Sequence, residues 1–214
     1  FIEYMNQKNG KNTLGLDSVF EDIDNPIDLF KNWFRKAEET EINDPNAVAL
    51  GTADKLNQPS VRMVLLKGLS NEGFVFYTNF NSKKGSDLKF NQLASMCFHW
   101  KSLRRQVRVI GKVQQVSEKE ADDYYNSRPY KNRISAWASN QSKQLESRDT
   151  FLKKITEFEK KYPDQNKVPR PPHWSGWRIT PKEIEFWLDG EGRVHERLNY
   201  INNEGKWTKE ILYP

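Results

Sequence analysis

The chain has 214 residues, 36% hydrophobic and 29% charged, with 34 Lys+Arg against 29 Asp+Glu and a formal charge of +5. At roughly 150 residues per domain this suits one domain or two closely packed lobes, and no run approaches the ~18 apolar residues of a membrane helix. A single cysteine, Cys97, excludes an internal disulfide and paired-cysteine zinc patterns and fits a reducing compartment, while seven Trp and 13% aromatics exclude a disordered chain.

Residues 1–24 are polar, carry Gly10 and Gly15, lack a signal peptide's apolar core, and read as an extended arm. Asn25 then caps a helix and Pro26 takes its first position, with Ile27, Phe30, Trp33, Phe34 and Ala37 at helical spacing. From Ala47 the period becomes that of strands. The runs 47–52, 60–68, 73–78, 94–100 and 105–116 are rich in β-branched and aromatic residues and parted by turn signals such as Asn71-Glu72-Gly73. Ser82 to Gln92 reads as a short helix. Ser117 and Glu120 have capping-box spacing and open another, to about Ser127, stopped by Pro129. A fourth helix spans 145–162, with Phe151, Leu152, Ile155, Phe158 and Tyr162 on one stripe. Val168 to Pro172 is too proline-rich for regular structure and marks a linker. The tail runs 183–188, 193–200 and 206–213 form a β-meander.

Eight or nine strands with few crossover helices predict a mainly β fold with flanking helices (α+β), an antiparallel barrel and not a parallel α/β sheet. The organisation follows as an arm, 1–24; a barrel region with helices, 25–167; and a C-terminal meander completing the barrel, 168–214, all in one structural domain.

Three constellations carry possible chemistry. If Arg193-Val194-His195-Glu196-Arg197 is a strand, residues 193, 195 and 197 share one face and line ~13 Å of surface with cationic or protonatable groups. Such a row suits an anion, and equally a solvated edge strand. Arg62 and Lys67 bracket an apolar strand, at an odd separation that puts them on opposite faces; Lys83 and Lys84 stand at a helix start, where unpaired N–H groups favour phosphate. Tyr124 and Arg128 end a helix just before a hydroxyl- and amide-rich segment around Trp137, which suggests a polar pocket with an aromatic wall. No dinucleotide or P-loop glycine motif occurs, His99, His173 and His195 lack metal-ligand spacing, and no metal is expected. His99 reads as a histidine satisfied within the sheet, and Cys97 as inert through burial.

Six segments occur in a familiar order: R-x-V-L-L-K (62–67), Y-T-N-x-x-S-x-K-G (77–85), R-Q-V-R-V-x-G (105–111), S-R-P…A-W-A-S-x-Q-S (127–142), P-x-x-W-x-G-x-R (171–178) and E-F-W…R-V-H-E-R (185–197). Together they resemble the pyridoxine 5′-phosphate oxidase family, FMN enzymes of vitamin B6 metabolism. The resemblance implies a split β-barrel homodimer with FMN between subunits and a cytoplasmic setting. It assigns Arg62, Met63, Val64, Leu65, Leu66, Lys67, Tyr77, Thr78, Lys83, Lys84, Gln106, Gln141, Ser142, Trp187 and Arg197 to the cofactor. It assigns Lys67, Tyr124, Arg128 and Asn132 to the substrate phosphate, places Arg193, Val194 and His195 at the substrate, and makes Arg193 and His195 the catalytic pair. The implied reaction oxidises the 4′ alcohol or amine of a phosphorylated pyridine to an aldehyde, with dioxygen as acceptor and peroxide as product. Two phosphates per site would account for the cations without nucleic acid or membrane.

Lys83 stands where the family usually has Arg, Asn132 for Ser, Ser135 for Gly, and Phe1 and Ile211 for Arg. Two alternatives stay open from the residues: a split-barrel flavin reductase or carrier, and a basic barrel binding single-stranded nucleic acid through its aromatics.

Overall fold

Alternating apolar side chains build one nine-stranded antiparallel sheet, which the computed structural model describes over residues 11–214. In β1 (Ala47–Ala53) Val48, Leu50 and Thr52 face the core; in β5 (Leu93–Trp100) Ala94, Met96, Phe98 and Trp100 do. The path runs β2 (Pro59–Leu65), β1, β5, β6 (Arg105–Gln115), β7 (Trp174–Leu188), β4 (Gly73–Asn79), β3 (Gly68–Ser70). The meander strands β8 (Glu196–Asn203) and β9 (Lys206–Leu212) join it through β7.

β7 is the hinge of this arrangement. It pairs with β6 from Trp177 to Leu188, with β4 from Trp174 to Ile179, and with β8 from Glu183 to Leu188. The change of partner falls at Pro181, which has no N–H to give to a ladder. The β6 register slips at the same level, between Ile110 and Gly111, so that Lys182 bulges out of the pairing. A Cβ on Gly111 would lie 2.1 Å from Thr180 O, so the two backbones meet there only because the residue is glycine.

The core lies between the sheet and α1 (Pro26–Thr40), whose Asn25 cap accepts from Ile27 N–H at 3.0 Å, as expected. Phe30 is fully buried and packs edge-on to Phe74 and Phe98, at ring separations of 4.9 and 5.0 Å. Residues 11–24, the described part of the expected arm, are not extended. They fold back on the body, with Phe20 fully buried at 5.4 Å from the Trp33 ring and Val19 O accepting from Trp33 Nε1 at 2.7 Å. The remainder of the arm, 1–10, and the Phe1 position lie outside the described residues.

The other helices are α2 (Lys83–Phe90), α3 (Glu118–Ser127), α4 (Tyr130–Ala138) and α5 (Arg148–Lys161). Ser117 caps α3 by accepting from Glu120 N–H at 3.1 Å, but the reciprocal half of the capping box is missing: the Glu120 carboxylate accepts instead from Arg178 at 2.9 and 3.1 Å. α4 has no counterpart in the sequence reading, which took Pro129 only as a stop; it also begins the next helix. The strand expected at 183–188 starts nine residues earlier, at Trp174. The proline-rich 168–172 segment is irregular as expected, yet pinned: Arg170 bonds Asp122 at 2.6 Å, Glu118, and Trp174 O at 2.8 Å. His99 is exposed and not satisfied within the sheet. Among the described residues no helix is long and apolar enough to cross a membrane.

Gly111→Ala should destabilise the fold by about 1–3 kcal/mol, because the added carbon meets a backbone carbonyl that has nowhere to move. At roughly 2–4 °C per kcal/mol for a domain of this size, thermal unfolding should show Tm lower by about 2–12 °C. An unchanged Tm would mean the two strands can separate at the bulge.

Candidate functional site

The sheet, the helix ends and the start of β7 line an open cavity of ≈ 560 Å³. β2 supplies Met63, Val64 and Leu65, with Lys67 just beyond; β4 supplies Tyr77, Thr78 and Asn79; Lys84 enters from the start of α2. Tyr124 and Arg128 come from the end of α3, Ser135 and Ala136 from α4, Ser139 and Gln141 from the loop after it, Phe151 from α5 and Trp174 from β7. Three of these residues are cationic and, among the described residues, no acid lines the wall.

That imbalance is most pronounced at Lys84. Ser82 caps α2, accepting from Gly85 N–H at 3.3 Å, and the helix start directs Lys84 inward, where it is 8% exposed. Its ammonium has only neutral oxygens in reach, Thr78 Oγ1 and Gln141 Oε1 at 3.3 Å and Ser82 Oγ at 3.5 Å. Burial, with the nearby Arg62 charge adding, pulls its pKa below the usual lysine value. Such a cation is stabilised by an anion brought into the cavity.

Arg128 presents the same chemistry at the other end. Its guanidinium lies 4.6 Å over the Trp174 ring, and its Nη1 is buried without a hydrogen-bond partner. Burial lowers its pKa too. Beside Arg128 stands an aromatic wall: the Tyr77 and Tyr124 rings stack at 3.9 Å and 19°, and Tyr77 lies nearly parallel to Trp174 at 5.4 Å. Burial, and then the Glu120 charge, push the Tyr77 phenol up to about 12, so it stays protonated.

Not every expected residue converges here. Arg62 is turned into the protein, donating to Thr52 Oγ1 at 2.7 Å, Ser60 Oγ at 2.8 Å and Leu50 O at 3.1 Å. Lys83, the expected phosphate seat, is off the cavity wall, with its Nζ 2.8 Å from the buried carboxylate of Asp87 and 3.7 Å from Asp54. Leu66 belongs to the core, Ser142 lines a smaller neighbouring hollow of ≈ 280 Å³, and Asn132 is exposed on α4 while Ser135, one turn on, reaches the wall.

The remaining expected residues form a second group, at the β7–β8 junction. Gln106, Trp187 and Arg197 are cross-strand neighbours, and the His195 ring lies 4.7 Å from that of Trp187. Arg197 is held by the buried Glu185 at 2.8 Å and by Tyr213 O at 2.9 Å. The expected single strand over 193–200 is corrected: Glu191–Arg193 is a one-turn 3-10 helix, Arg193 has φ +65°, and β8 begins at Glu196. Arg193, Val194 and His195 therefore sit on a tight turn and not on one strand face, because the Gly192–Arg193 pair in the left-handed region reverses the chain. None of this group lines the cavity of its own chain.

Sequence reasoning left out Asn79, Ala136, Ser139, Phe151 and Trp174 from the site. Trp174 and Asn79 lay within quoted motifs, and Phe151 within the α5 stripe; only their convergence was hidden.

Two family profiles match the chain, one described as pyridoxamine 5′-phosphate oxidase over residues 34–188 and one as the C-terminal dimerisation region of pyridoxine 5′-phosphate oxidase over 174–214. A pyridoxine/pyridoxamine 5′-phosphate oxidase of Pelagibacter ubique is 59% identical over 96% of this chain and 100% of its own length. One from Sinorhizobium fredii is 52% identical over 91% and 95%. Among solved structures, PhzG from Burkholderia lata, in complex with tetrahydrophenazine-1-carboxylic acid, superposes with TM-score 0.86 at 28% identity, over 96% of this chain and 100% of that one. A pyridoxamine 5′-phosphate oxidase-related, FMN-binding protein of Nostoc punctiforme has the same fold, with TM-score 0.69 at 16% identity, over 86% and 96%. With both profiles together covering the sheet, the cavity and the meander, the chain belongs to the pyridoxamine 5′-phosphate oxidase family.

Proposed function

We propose that this chain is an FMN-dependent oxidase that converts pyridoxine 5′-phosphate or pyridoxamine 5′-phosphate to pyridoxal 5′-phosphate, with dioxygen as acceptor and hydrogen peroxide as product. The observation that carries the reading is a cavity with a buried cation, Lys84, and a half-buried one, Arg128, with no carboxylate on its wall and with the buried Arg128 Nη1 lacking a hydrogen-bond partner. An anionic, flat, phosphorylated occupant supplies what those groups lack. The relatives' shared name names such a substrate.

The residues present fit FMN as well. Lys84, Thr78 and Gln141 form a polar cluster at one end of the cavity, and the apolar edge of Met63, Val64 and Leu65 offers a surface to a ring. FMN, when bound, supplies a hydride acceptor that dioxygen can reoxidise. The chain does the placing. Arg128, Tyr124 and Lys67 would take the substrate phosphate, and the Tyr77–Trp174 wall would orient that end of the molecule.

The β7–β8 group completes the site from a second copy. Gln106, Trp187, Arg193, His195 and Arg197 lie off the cavity of their own chain, in and around the segment matched by the dimerisation-region profile. β2 meanwhile exposes Val61 (70%), Met63 (63%) and Leu65 (39%) at the cavity mouth, an apolar face suited to burial between two copies. The homodimer is thus part of the reading: Arg193 and His195 of one protomer would act over the substrate held by its partner. For the alcohol, substrate and dioxygen give aldehyde and peroxide; for the amine, water is also consumed and ammonia released. A cytoplasmic setting accords with the single free cysteine.

The purified protein should stay yellow through desalting and form aldehyde and peroxide from pyridoxine 5′-phosphate; a colourless protein that FMN cannot restore would sink the reading. Lys84→Met, which keeps the volume and removes the charge, should weaken FMN binding roughly ten- to a hundredfold by titration. Lys83→Ala, removing a half-exposed ion pair, should change it less than about fivefold; equal effects would relocate the phosphate seat. Arg128→Leu should lower kcat/KM for the phosphorylated substrate by roughly ten- to a hundredfold with FMN affinity kept, and unaltered kinetics would remove Arg128 from the substrate site.

A further inference from the structure

The turn between β7 and β8 is built with unusual backbone closeness. A Cβ on Gly190 would lie 1.8 Å from Val194 O, Gly192 and Arg193 are both left-handed at φ +62° and +65°, and Val194 N–H donates to Glu191 O at 3.2 Å. The reversal brings His195 back onto the residue that follows β7. Its Nδ1 lies 3.0 Å from Asp189 Oδ1, and its ring is braced by Trp187 at 4.7 Å.

Asp189 is itself held from behind. Its Oδ2 accepts from Arg104 Nε at 2.9 Å and Nη2 at 2.5 Å, and its backbone N–H donates to Arg104 O at 3.0 Å. Arg104 occupies the turn between β5 and β6, at φ +55°, so the clamp spans two sheet connections. The Arg104 hydrogen bonds, with the His195 and Arg193 charges adding, keep the Asp189 carboxyl below the usual carboxylate range and therefore ionised.

Gly190 N–H also points at His195 Nδ1, at 3.1 Å, and would favour a proton on Nε2. The carboxylate opposes this, since a lone pair facing an anion at hydrogen-bond distance is repelled. Charge-assisted hydrogen bonds are roughly twice as strong as neutral ones, so Asp189 decides. We infer that Asp189 is a positioning residue for His195: clamped by Arg104, it holds the imidazole proton on Nδ1 and leaves Nε2 as an acceptor. Resting on the reading of His195 as an active-site group, this gives the imidazole a defined task. Nε2 accepts a hydrogen bond from the 4′ O–H or N–H of the substrate and fixes the carbon beside it for hydride loss.

Asp189→Asn tests the inference. Arg104 must keep an oxygen acceptor, so the amide nitrogen of the new side chain turns to His195 Nδ1 and forces the proton to Nε2. The readout is ¹⁵N NMR of histidine-labelled, FMN-loaded dimer at a pH where the ring is neutral, with the His195 signals assigned by their loss in His195→Ala. The wild type should show Nδ1–H and the variant Nε2–H, with kcat lower by roughly ten- to a hundredfold and flavin binding and dimerisation kept. Asp189→Glu, keeping the carboxylate, should restore Nδ1–H. A wild-type proton on Nε2, or a tautomer that Asp189→Asn leaves unmoved, overturns the inference. Undiminished turnover in His195→Ala overturns the active-site reading beneath it, and the NMR result is read independently of that.

Discussion

Pro181 has no hydrogen to give to a β-ladder, and the whole molecule is arranged around that gap. On one side of it β7 pairs with β4, on the other with β8, while β6 runs alongside both and slips its register at the same level. The first half of β7 brings Trp174 to the cavity beside Tyr77; the second carries Trp187 and leads into Asp189. One strand thus ties the pocket to the residues that would complete a partner's pocket. Gly111 makes the junction possible by letting β6 and β7 approach where the register slips.

Charge is handled differently on the two sides of that strand. Most cations near the site are already satisfied within the chain: Arg62 by Thr52 and Ser60, Lys83 by Asp87, Arg178 by Glu72 and Glu120, Arg197 by Glu185. These fix backbone and side chains in place. Lys84 and Arg128 are the contrast, since Lys84 is buried, Arg128 has its Nη1 withdrawn from water, and neither meets a carboxylate. A folded chain tolerates such groups when a ligand completes them, and the fold's stability and ligand binding become linked. Lys83 shows how a neighbour four residues away can hold a cation that its motif places at a cofactor. The residue type is right for phosphate, but Asp87 four residues on competes for it at 2.8 Å.

The carboxylates are the silent half of the site. Asp189, Glu185 and Asp87 line no part of the cavity, yet each holds a cationic or protonatable group that the family resemblance places at cofactor or substrate. Their contacts fix how those groups are oriented, and an oxidoreductase depends on alignment of the reacting atoms.

Local chemistry made much of the fold legible in the sequence. The Asn25 cap and Pro26 start of α1, the helix start at Ser82, the Ser117 cap, and the alternation in β1, β5 and β6 all act over a few residues, and each stands where it was read. So does the family, because six short motifs in order survive without knowing any distance. What acts across the chain was hidden. The first half of β7 owes its strand conformation to β4 and β6, not to its own Gly- and Pro-containing sequence. The 11–24 segment is polar on average, but Phe20 finds a core that only the folded chain provides. Arg193 and His195 read as strand neighbours because alternation carries no information about a left-handed pair at Gly192–Arg193. Residue types and their order established a cation-rich, mainly β member of a recognisable family. Which cations remain unpaired, and which carboxylates hold the others, was decided by tertiary structure, since a charge is satisfied by whatever lies within about 3 Å and not by its sequence neighbours.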